Sequence, residues 1–220
     1  MGDIFVAVCT LGDVRAEWAV GLASMHQVTG RTRHLSLIKH MGIADARNFA
    51  INVACSIDAD YVMFWDDDVI PRRTDASNML FTALDQHPEI DVISGVYPMR
   101  RNVPEPVCVE KKGGGIFWGW QDGNIHSVYM AGTGFMVIRV SSLKETVPEP
   151  YKIANTDYSL GRYFQIEDDG HGGVTTDDFW FAGYCEHWKL KQYVHGGVIC
   201  DQIQKDGEMV RVDEAVAVVA

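Results

Sequence analysis

Apolar runs alternate with helix-like segments along the first hundred residues. Three continuous apolar runs and one alternating run are typical of strands, and the segments between them have helical composition or spacing. The predicted strands are 4–10, 33–40, 60–65 and 91–97. The predicted helices are 15–27, 44–57 and 76–87, and Pro88 stops the last of them. This order predicts an α/β fold, with a mostly parallel central sheet and helices on both faces.

The pattern changes after residue 97. Prolines and glycines interrupt short aromatic and β-branched runs over 98–131, and we expect PVCVE, GIFWGW and IHSVYM to form short antiparallel strands or hairpins. Segment 132–143 predicts a glycine turn, a strand and the start of a helix. The second half of the fold should therefore contain a small antiparallel portion.

The last third of the chain carries four further expectations. Residues 148–174 are rich in Pro, Gly and Asp and predict loops. Residues 175–189 predict a helix capped by one of the two threonines at its start. Residues 192–203 predict a hairpin or strand pair, and the apolar tail at 210–220 is either a terminal strand or the cut end of a longer chain.

Composition narrows the class of protein. The 220 residues are 47% hydrophobic, which is enough for the core of one large domain. The formal net charge is −11 and there is no basic run, which argues against a nucleic-acid partner. Five scattered cysteines without a CxxC pair predict reduced thiols and a cytoplasmic location. No apolar run approaches the roughly 18 residues of a membrane span, so we expect none.

Three aspartates, Asp66, Asp67 and Asp68, follow directly after the predicted strand at 60–65. Two carboxylates about 4 Å apart repel by roughly 4 kcal/mol at an effective dielectric near 20, so such an arrangement needs compensation. Magnesium and manganese prefer oxygen ligands and can bridge two phosphate oxygens. The run therefore indicates a divalent-cation site that would hold a diphosphate. A solvated acidic turn is the alternative interpretation.

Other polar residues should share the rim of the sheet with these aspartates. Thr10 to Asp13 follow the carboxyl end of the first predicted strand, and ligands on parallel sheets bind beyond such ends. Arg47, at the start of a predicted helix, could clamp a phosphate or fix the metal-binding loop. A salt bridge on the helix surface would explain Arg47 equally well.

Later segments add further candidates. Asp177 and Asp178 open the predicted helix at 175–189, where the helix dipole favours acids, and one of them could be a general base. Gly132 and Gly134 would let the backbone approach a ligand closely, or they form an ordinary tight turn. The candidates for a late metal ligand are His195, Asp201 and Gln202.

Six segments, taken in order, resemble the nucleotide-diphospho-sugar glycosyltransferases of the GT-A fold. They are most similar to the compact family-2-like members, some of which phages and large DNA viruses encode. The segments are VAVCT, DARNFAINVA, DADYVMFWDDDVIP, DVISGVYPMR, AGTGFMVIRVSSL and TTDDFWFAGYC. The resemblance implies one GT-A domain over 1–220, with a nucleotide-binding half at 1–100, an acceptor and catalytic half at 101–203, and a tail at 204–220.

The resemblance also implies roles for the strand-end acids and the donor site. Asp66 and Asp68 match the outer acids of the family's DxD motif, with Asp68 on the metal and Asp66 facing the donor as well as assisting the metal. Mn²⁺, or Mg²⁺ in its place, is the implied cofactor. The residues that match the donor-binding segments are Thr10, Leu11, Asp13, Arg47, Asp66, Asp67, Gly132, Thr133 and Gly134.

Two departures from the family pattern concern the catalytic residues. Asp178 matches the family's catalytic base, and Asp177 stands where the family has glutamate. The family often has a late histidine that completes the metal site. We choose His195 for that role and keep Asp201 and Gln202 as alternatives.

The expected activity is transfer of a sugar from a nucleoside diphosphate, UDP before GDP, to a hydroxyl of a glycan or glycoprotein acceptor, with inversion. A nucleotidyltransferase that makes a nucleotide sugar is one alternative, although TLGDVRAEW has one glycine and no lysine where such enzymes carry a Gly- and Lys-rich loop. A non-catalytic nucleotide- or sugar-binding domain of a larger protein is the other. Trp118, Trp120 and Trp180 would stack on a sugar ring or belong to the core.

Overall fold

The computed structural model of the protein describes residues 2–99, 104–153, 159–168, 174–204 and 206–213. Its helices are α1 (Ala16–Ser24), α2 (Ile43–Ser56), α3 (Ala76–Gln86), α4 (Val140–Lys144) and α5 (Asp177–Trp188). Its strands are β1 (Asp3–Thr10), β2 (Thr32–Lys39), β3 (Tyr61–Trp65), β4 (Val69–Pro71), β5 (Val92–Val96), β6 (Cys108–Val109), β7 (Ile125–Ser127), β8 (Met130–Ala131), β9 (Phe135–Arg139), β10 (Glu149–Lys152), β11 (Ser159–Arg162), β12 (Glu167–Asp168), β13 (Val174–Thr175), β14 (Gln192–Ile203) and β15 (Met209–Val210).

The central sheet is mixed and mostly parallel. Its order is β15-β14-β5-β9-β3-β1-β2, and both β4 and β7 also pair with β14. β1 runs parallel to β2 and β3, and β14 runs parallel to β5. β9 is antiparallel to β3 and β5, which flank it. The carboxyl ends of β1, β3 and β5 therefore meet at one rim, as the expected fold class requires.

Both faces of this sheet are covered by helices. Ile4, Val6 and Val8 of β1 belong to a buried layer that also contains residues of α1 and α3. Phe5 and Ala7 alternate with them and belong to the opposite layer, with residues of α2 and α5. A strand that is buried on both faces has apolar residues at every position, which is why β1 appears as one continuous apolar run.

Two asparagines of α2 fasten a segment from the second half of the chain. The Oδ1 atom of Asn48 accepts hydrogen bonds from the backbone N–H groups of Tyr163 (2.7 Å) and Phe164 (2.8 Å), and its Nδ2 donates to the Phe164 carbonyl (2.8 Å). Asn52 exchanges two hydrogen bonds with the backbone of Gly161, at 3.0 and 3.2 Å. The side-chain amides of α2 thus satisfy backbone N–H and C=O groups of this segment, as a neighbouring strand would.

The elements predicted for the first hundred residues are all present, with ends shifted by at most three residues. Three expectations for the second half are wrong. GIFWGW forms an isolated bridge at Ile116 and then a short 3₁₀ helix, and it is not a regular strand. Segment 148–174 contains the short antiparallel pairs β10–β11 and β12–β13 as well as loops, and its residues 154–158 and 169–173 lie outside the described part.

The third correction is β14, a single long strand where a hairpin or strand pair was predicted. The strand continues through Gly196 and Gly197, where a Cβ atom at Gly196 would collide with the carbonyl of Trp120 and lie 3.1 Å from that of Asn124. Close packing of another segment, and not a reversal of the chain, explains this glycine. Trp120 itself is 3% exposed and belongs to the core.

The end of the chain is described only to residue 213. Met209–Val210 pairs with β14 as a terminal strand, and the predicted tail beyond residue 213 lies outside the described residues. In the described parts of the chain, no helix has the length and apolar character that crossing a membrane would need.

Candidate active site

The rim of the sheet holds an open cleft of about 890 Å³. It collects polar residues that are far apart in sequence, because β1 ends at Thr10, β3 ends just before Asp66, and α5 begins at Asp177. The predicted site residues that line it are Thr10, Leu11, Asp13, Arg47, Asp66, Asp67, Asp68, Asp177 and Asp178. Gly132, Thr133, Gly134 and His195 are not among its lining residues.

The three aspartates form the tight turn between β3 and β4. The backbone N–H of Asp66 donates to the Gly134 carbonyl (2.8 Å), and the N–H of Val69 donates to the Asp66 carbonyl (3.2 Å). The indole N–H of Trp65 closes the turn on the Val69 carbonyl (2.8 Å). The backbone therefore fixes where the carboxylates project from the end of β3.

Arg47 compensates two of the carboxylates at once. Its guanidinium, 4% exposed, donates to both carboxylate oxygens of Asp66 (2.8 and 3.1 Å) and to Oδ2 of Asp177. The rings of Phe64 and Phe164 lie 5.9 and 5.8 Å from the guanidinium carbon. Burial alone would lower the pKa of Arg47, but the charges of Asp66 and Asp177 raise that pKa well above its ordinary value.

This arrangement separates the two roles that the sequence left open for Arg47. A guanidinium engaged by two carboxylates holds the strand-end loop against the start of α5, and the described geometry favours this role over a phosphate clamp. Asp177 also pairs with Arg47, so the ion pair connects the start of α5 to the loop at the end of β3.

Asp178 has different surroundings. Its Oδ1 atom accepts hydrogen bonds from the backbone N–H (3.0 Å) and the hydroxyl (2.6 Å) of Thr133. Burial, together with the negative charge of Asp177, raises the pKa of Asp178 to about 6, against the lowering effects of Arg47 and Thr133. A carboxylate with this pKa is ionised at neutral pH and is more basic than an ordinary aspartate, which suits a general base.

The glycines of the GTG turn make room for a side chain of the protein. A Cβ atom at Gly132 would lie 2.5 Å from the hydroxyl oxygen of Tyr97, and one at Gly134 would lie 3.0 Å from its ring. Close packing on Tyr97 therefore explains Gly132, and packing on both Val69 and Tyr97 explains Gly134. Thr133, between them, is fully buried and contacts Asp178 directly.

The structure separates His195 from the strand-end aspartates. His195 pairs with Ile125 of β7, whereas Gln202 pairs with Val69 beside the aspartate turn, so seven residues and roughly 20 Å of extended chain lie between the two positions. His195 therefore does not complete a metal site in this cleft. Asp201, the second alternative, accepts a hydrogen bond from Arg72 Nε (2.6 Å) and is not among the cleft's lining residues.

Gln202, the third alternative, lies in the cleft beside Asp68. Its Nε2 is 3.4 Å from Oδ2 of Asp68, and its Oε1 is buried without a hydrogen-bond partner. A search of the described residues finds no group of three or more His, Cys, Asp or Glu side chains that could hold a metal. Mg²⁺, however, commonly uses one or two protein carboxylates together with phosphates and water. A buried carboxylate beside an unpartnered amide oxygen fits that pattern.

Arg15 and Tyr97 are among the cleft residues that sequence reasoning missed. Arg15, just before α1, lines the cleft and donates to the Gln204 carbonyl (2.8 Å), which links the segment before α1 to the segment after β14. Tyr97 follows the carboxyl end of β5, so the rule that singled out Thr10 and Asp66 also applies to it. No local pattern in the sequence marks Arg15.

Comparisons with known proteins establish the fold. No protein-family model matches the chain, and no curated protein matches it. The structure is similar to the crystal structure of A197 from STIV, at a TM-score of 0.61 and 17% identity over 96% of this chain and 94% of that one. It is also similar to S. aureus TarS residues 1–349 in complex with UDP-GlcNAc, at a TM-score of 0.50 and 15% identity. That match covers 87% of this chain and 55% of the TarS chain. The fold is the GT-A fold.

Proposed function

We propose that the protein is a metal-dependent glycosyltransferase that moves a sugar from UDP to an acceptor hydroxyl. The observation that carries the proposal is the presence, in one cleft, of Asp178 with a pKa raised to about 6 and of strand-end aspartates braced by Arg47. A base of this strength fits the removal of a proton from a hydroxyl that is attacking a sugar.

The proposed reaction is a single displacement. Asp178 takes the acceptor proton while the acceptor oxygen forms a bond to the anomeric carbon of the donor. The bond from that carbon to the diphosphate breaks, and its electron pair leaves with the nucleoside diphosphate. Attack from the side opposite the leaving group inverts the anomeric carbon. Thr133 fixes Oδ1 of Asp178 throughout, so the carboxylate stays oriented.

A divalent cation, Mn²⁺ or Mg²⁺, would be held by Asp68 and Gln202 and would supply positive charge beside the departing diphosphate. Arg47 has an indirect part, because it fixes Asp66 at the end of β3 and Asp177 at the start of α5. The TarS structure contains UDP-GlcNAc, which supports UDP as the carrier and provides a first donor to test.

Calorimetric titration of UDP, first with Mn²⁺ and then with EDTA, tests the binding part of the proposal. We expect UDP to bind only with Mn²⁺ and Asp68→Ala to abolish binding. Gln202→Leu should weaken binding at least about tenfold. Asp58→Ala is the matched control, because its exposed carboxylate bonds Lys144 outside the cleft and its loss should leave UDP binding unchanged. UDP binding that survives both EDTA and Asp68→Ala would remove the metal from the proposal.

Product analysis distinguishes the proposed activity from its alternatives. Transfer to an acceptor, or slow release of UDP from a UDP-sugar such as UDP-GlcNAc, supports a glycosyltransferase. Release of pyrophosphate from UTP and a sugar 1-phosphate would indicate a nucleotidyltransferase. UDP binding with neither product, across a panel of UDP-sugars, would indicate a non-catalytic binding domain.

A further inference from the structure

Tyr97 lines the cleft and has no role in the reaction as written above. It follows β5, which lies between β14 and β9 in the sheet, and its side chain lines the cleft although the residue is only 5% exposed. Its hydroxyl oxygen accepts a hydrogen bond from the backbone N–H of Gly134 (2.8 Å). Within the described residues, this is the hydrogen bond that the hydroxyl makes.

The proton of that hydroxyl therefore has no acceptor from the described residues. A buried O–H group that donates to nothing is costly, and a group of this kind in a native protein calls for a specific explanation, such as a catalytic role or a bound partner. The phenol stays protonated, because burial and then the charges of Asp178 and Asp66 raise the pKa of Tyr97 well above its ordinary value. Tyr97 therefore keeps its hydroxyl proton at neutral pH and can donate a hydrogen bond.

The residues around the Tyr97 hydroxyl indicate which part of a ligand it would contact. The hydroxyl lies close enough to both Asp178 and Asp66 to feel their charges, and it sits against the GTG turn that positions Asp178. In the proposed reaction Asp178 faces the acceptor hydroxyl, and Asp66 faces the donor. The group that lies between a base and the leaving diphosphate is the sugar being transferred.

We infer that Tyr97 donates its hydroxyl proton to an oxygen of the transferred sugar and so distinguishes a sugar nucleotide from the bare nucleotide. This inference rests on the proposed function. It also explains the two flanking glycines, because any side chain at Gly132 or Gly134 would displace the Tyr97 ring from this position. A structural role alone would leave the hydroxyl proton unused.

The test compares Tyr97→Phe with wild type in binding UDP and a panel of UDP-sugars that includes UDP-GlcNAc, with Mn²⁺ present. We expect unchanged affinity for UDP and roughly three- to tenfold weaker binding of the sugar nucleotide that wild type prefers. Tyr129→Phe is the matched control, since Tyr129 packs in a separate cluster and does not line the cleft. It should leave both affinities unchanged.

Two measurements separate the contact with the sugar from a supporting role for the Gly134 turn. Donor analogues that lack one sugar hydroxyl each should include one that wild type and Tyr97→Phe bind equally, because the partner of Tyr97 is then already missing. The pH dependence of kcat/KM should not move in Tyr97→Phe. A shifted pH profile with no such analogue would mean that Tyr97 only supports the turn, and would overturn the inference.

Three further outcomes of the binding experiment would overturn the inference about Tyr97. Wild type that binds UDP but no UDP-sugar more tightly overturns the inference and leaves the nucleotide site standing. Equal loss of UDP and UDP-sugar affinity in Tyr97→Phe overturns it too. A wild-type protein that binds neither UDP nor any UDP-sugar overturns the proposed function, and the inference with it.

Discussion

The carboxylates of the cleft fall into two sets that differ in their partners, and we call these sets the ionic side and the polar side. On the ionic side, Asp66 and Asp177 share the buried guanidinium of Arg47. On the polar side, Asp178 is held by the N–H and hydroxyl of Thr133, and Asp68 faces the neutral amide of Gln202. The ionic side therefore carries compensating charge within the protein, whereas Asp178 keeps a raised pKa and Gln202 keeps an unpartnered oxygen.

The two sets of partners give neighbouring aspartates of the chain different chemical properties. Asp177 and Asp178 are adjacent in α5, yet one braces the loop at the end of β3 and the other remains basic. A charge that the protein itself neutralises adds to the framework of the site. A charge or amide left with spare capacity is available to a ligand. Substitutions on the two sides should accordingly affect different properties.

The largest effect is expected from Asp178→Asn, on the polar side. Removing a general base costs roughly 10²- to 10⁴-fold in rate, while UDP affinity should not change, because Asn can still accept the hydrogen bonds from Thr133. Steady-state transfer assays with the preferred UDP-sugar measure this. Glu186→Gln, on the same helix but exposed and paired with Lys112, is the control and should keep full activity. Full transfer by Asp178→Asn would remove the assignment of Asp178 as base.

The next effect is expected on the ionic side, from Arg47→Met. Removing one partner of a buried ion pair leaves uncompensated charges on Asp66 and Asp177 and costs about 3–5 kcal/mol in the free energy of unfolding. Urea denaturation at pH 7 measures the change. The exposed pair Arg73–Asp75 supplies the control, since Arg73→Met should leave the unfolding curve almost unchanged. Equal free energies of unfolding for Arg47→Met and Arg73→Met would show that the ion pairs of Arg47 do not stabilise the site.

The smallest effect concerns the pH dependence of stability. The pKa of Asp178 is raised from 3.8 to about 6 in the folded protein, so its ionisation disfavours folding as the pH rises through that window. Asp178→Asn removes this penalty. The free energy of unfolding of the variant, minus that of wild type, should therefore be about 1–3 kcal/mol larger at pH 7 than at pH 4. Urea titrations at both pH values measure the gain.

Asp58→Asn gives a control of opposite sign for that experiment. The hydrogen bond from Lys144 lowers the pKa of Asp58, so the stabilisation from its charge is present above the ordinary pKa and is lost as the pH falls. The stability of the Asn variant relative to wild type should therefore be lower at pH 7 than at pH 4, which is the opposite of the change expected for Asp178→Asn. Asp178→Asn and Asp58→Asn responding in the same direction would show that burial does not govern Asp178.

Much of this fold follows from periodicity that is local in sequence. The apolar runs of β1, β3 and β5 and the helix patterns between them predict a parallel sheet, and the sheet predicts that Thr10 and Asp66 share one rim. The placement of the site was therefore predictable from single segments. The hairpin predicted over 192–203 was wrong, and the close approach of Trp120 to Gly196 in the continuous strand β14 involves a segment that is distant in sequence.

The partners within the site were not predictable in the same way. Arg47, Asp66 and Asp177 meet only through tertiary packing, and nothing local in the sequence links them. Histidine is a more common metal ligand than glutamine, so residue type favoured His195. The register of β14 against β4 puts Gln202, and not His195, beside the aspartate turn. Residue type alone cannot show which of these side chains lies near the aspartates, because strand register sets their positions.

The hydrogen bonds of Asn48 have a consequence for how the protein is assembled. One turn of α2 carries both Arg47, which joins the acids of the cleft, and Asn48, which holds the backbone at Tyr163 and Phe164. The helix cannot settle against the sheet without setting the cleft, and the later segment cannot dock without the same helix. The same helix thus supports both the acids of the cleft and the docked segment around Phe164, so a change that disturbs the packing of α2 should disturb both.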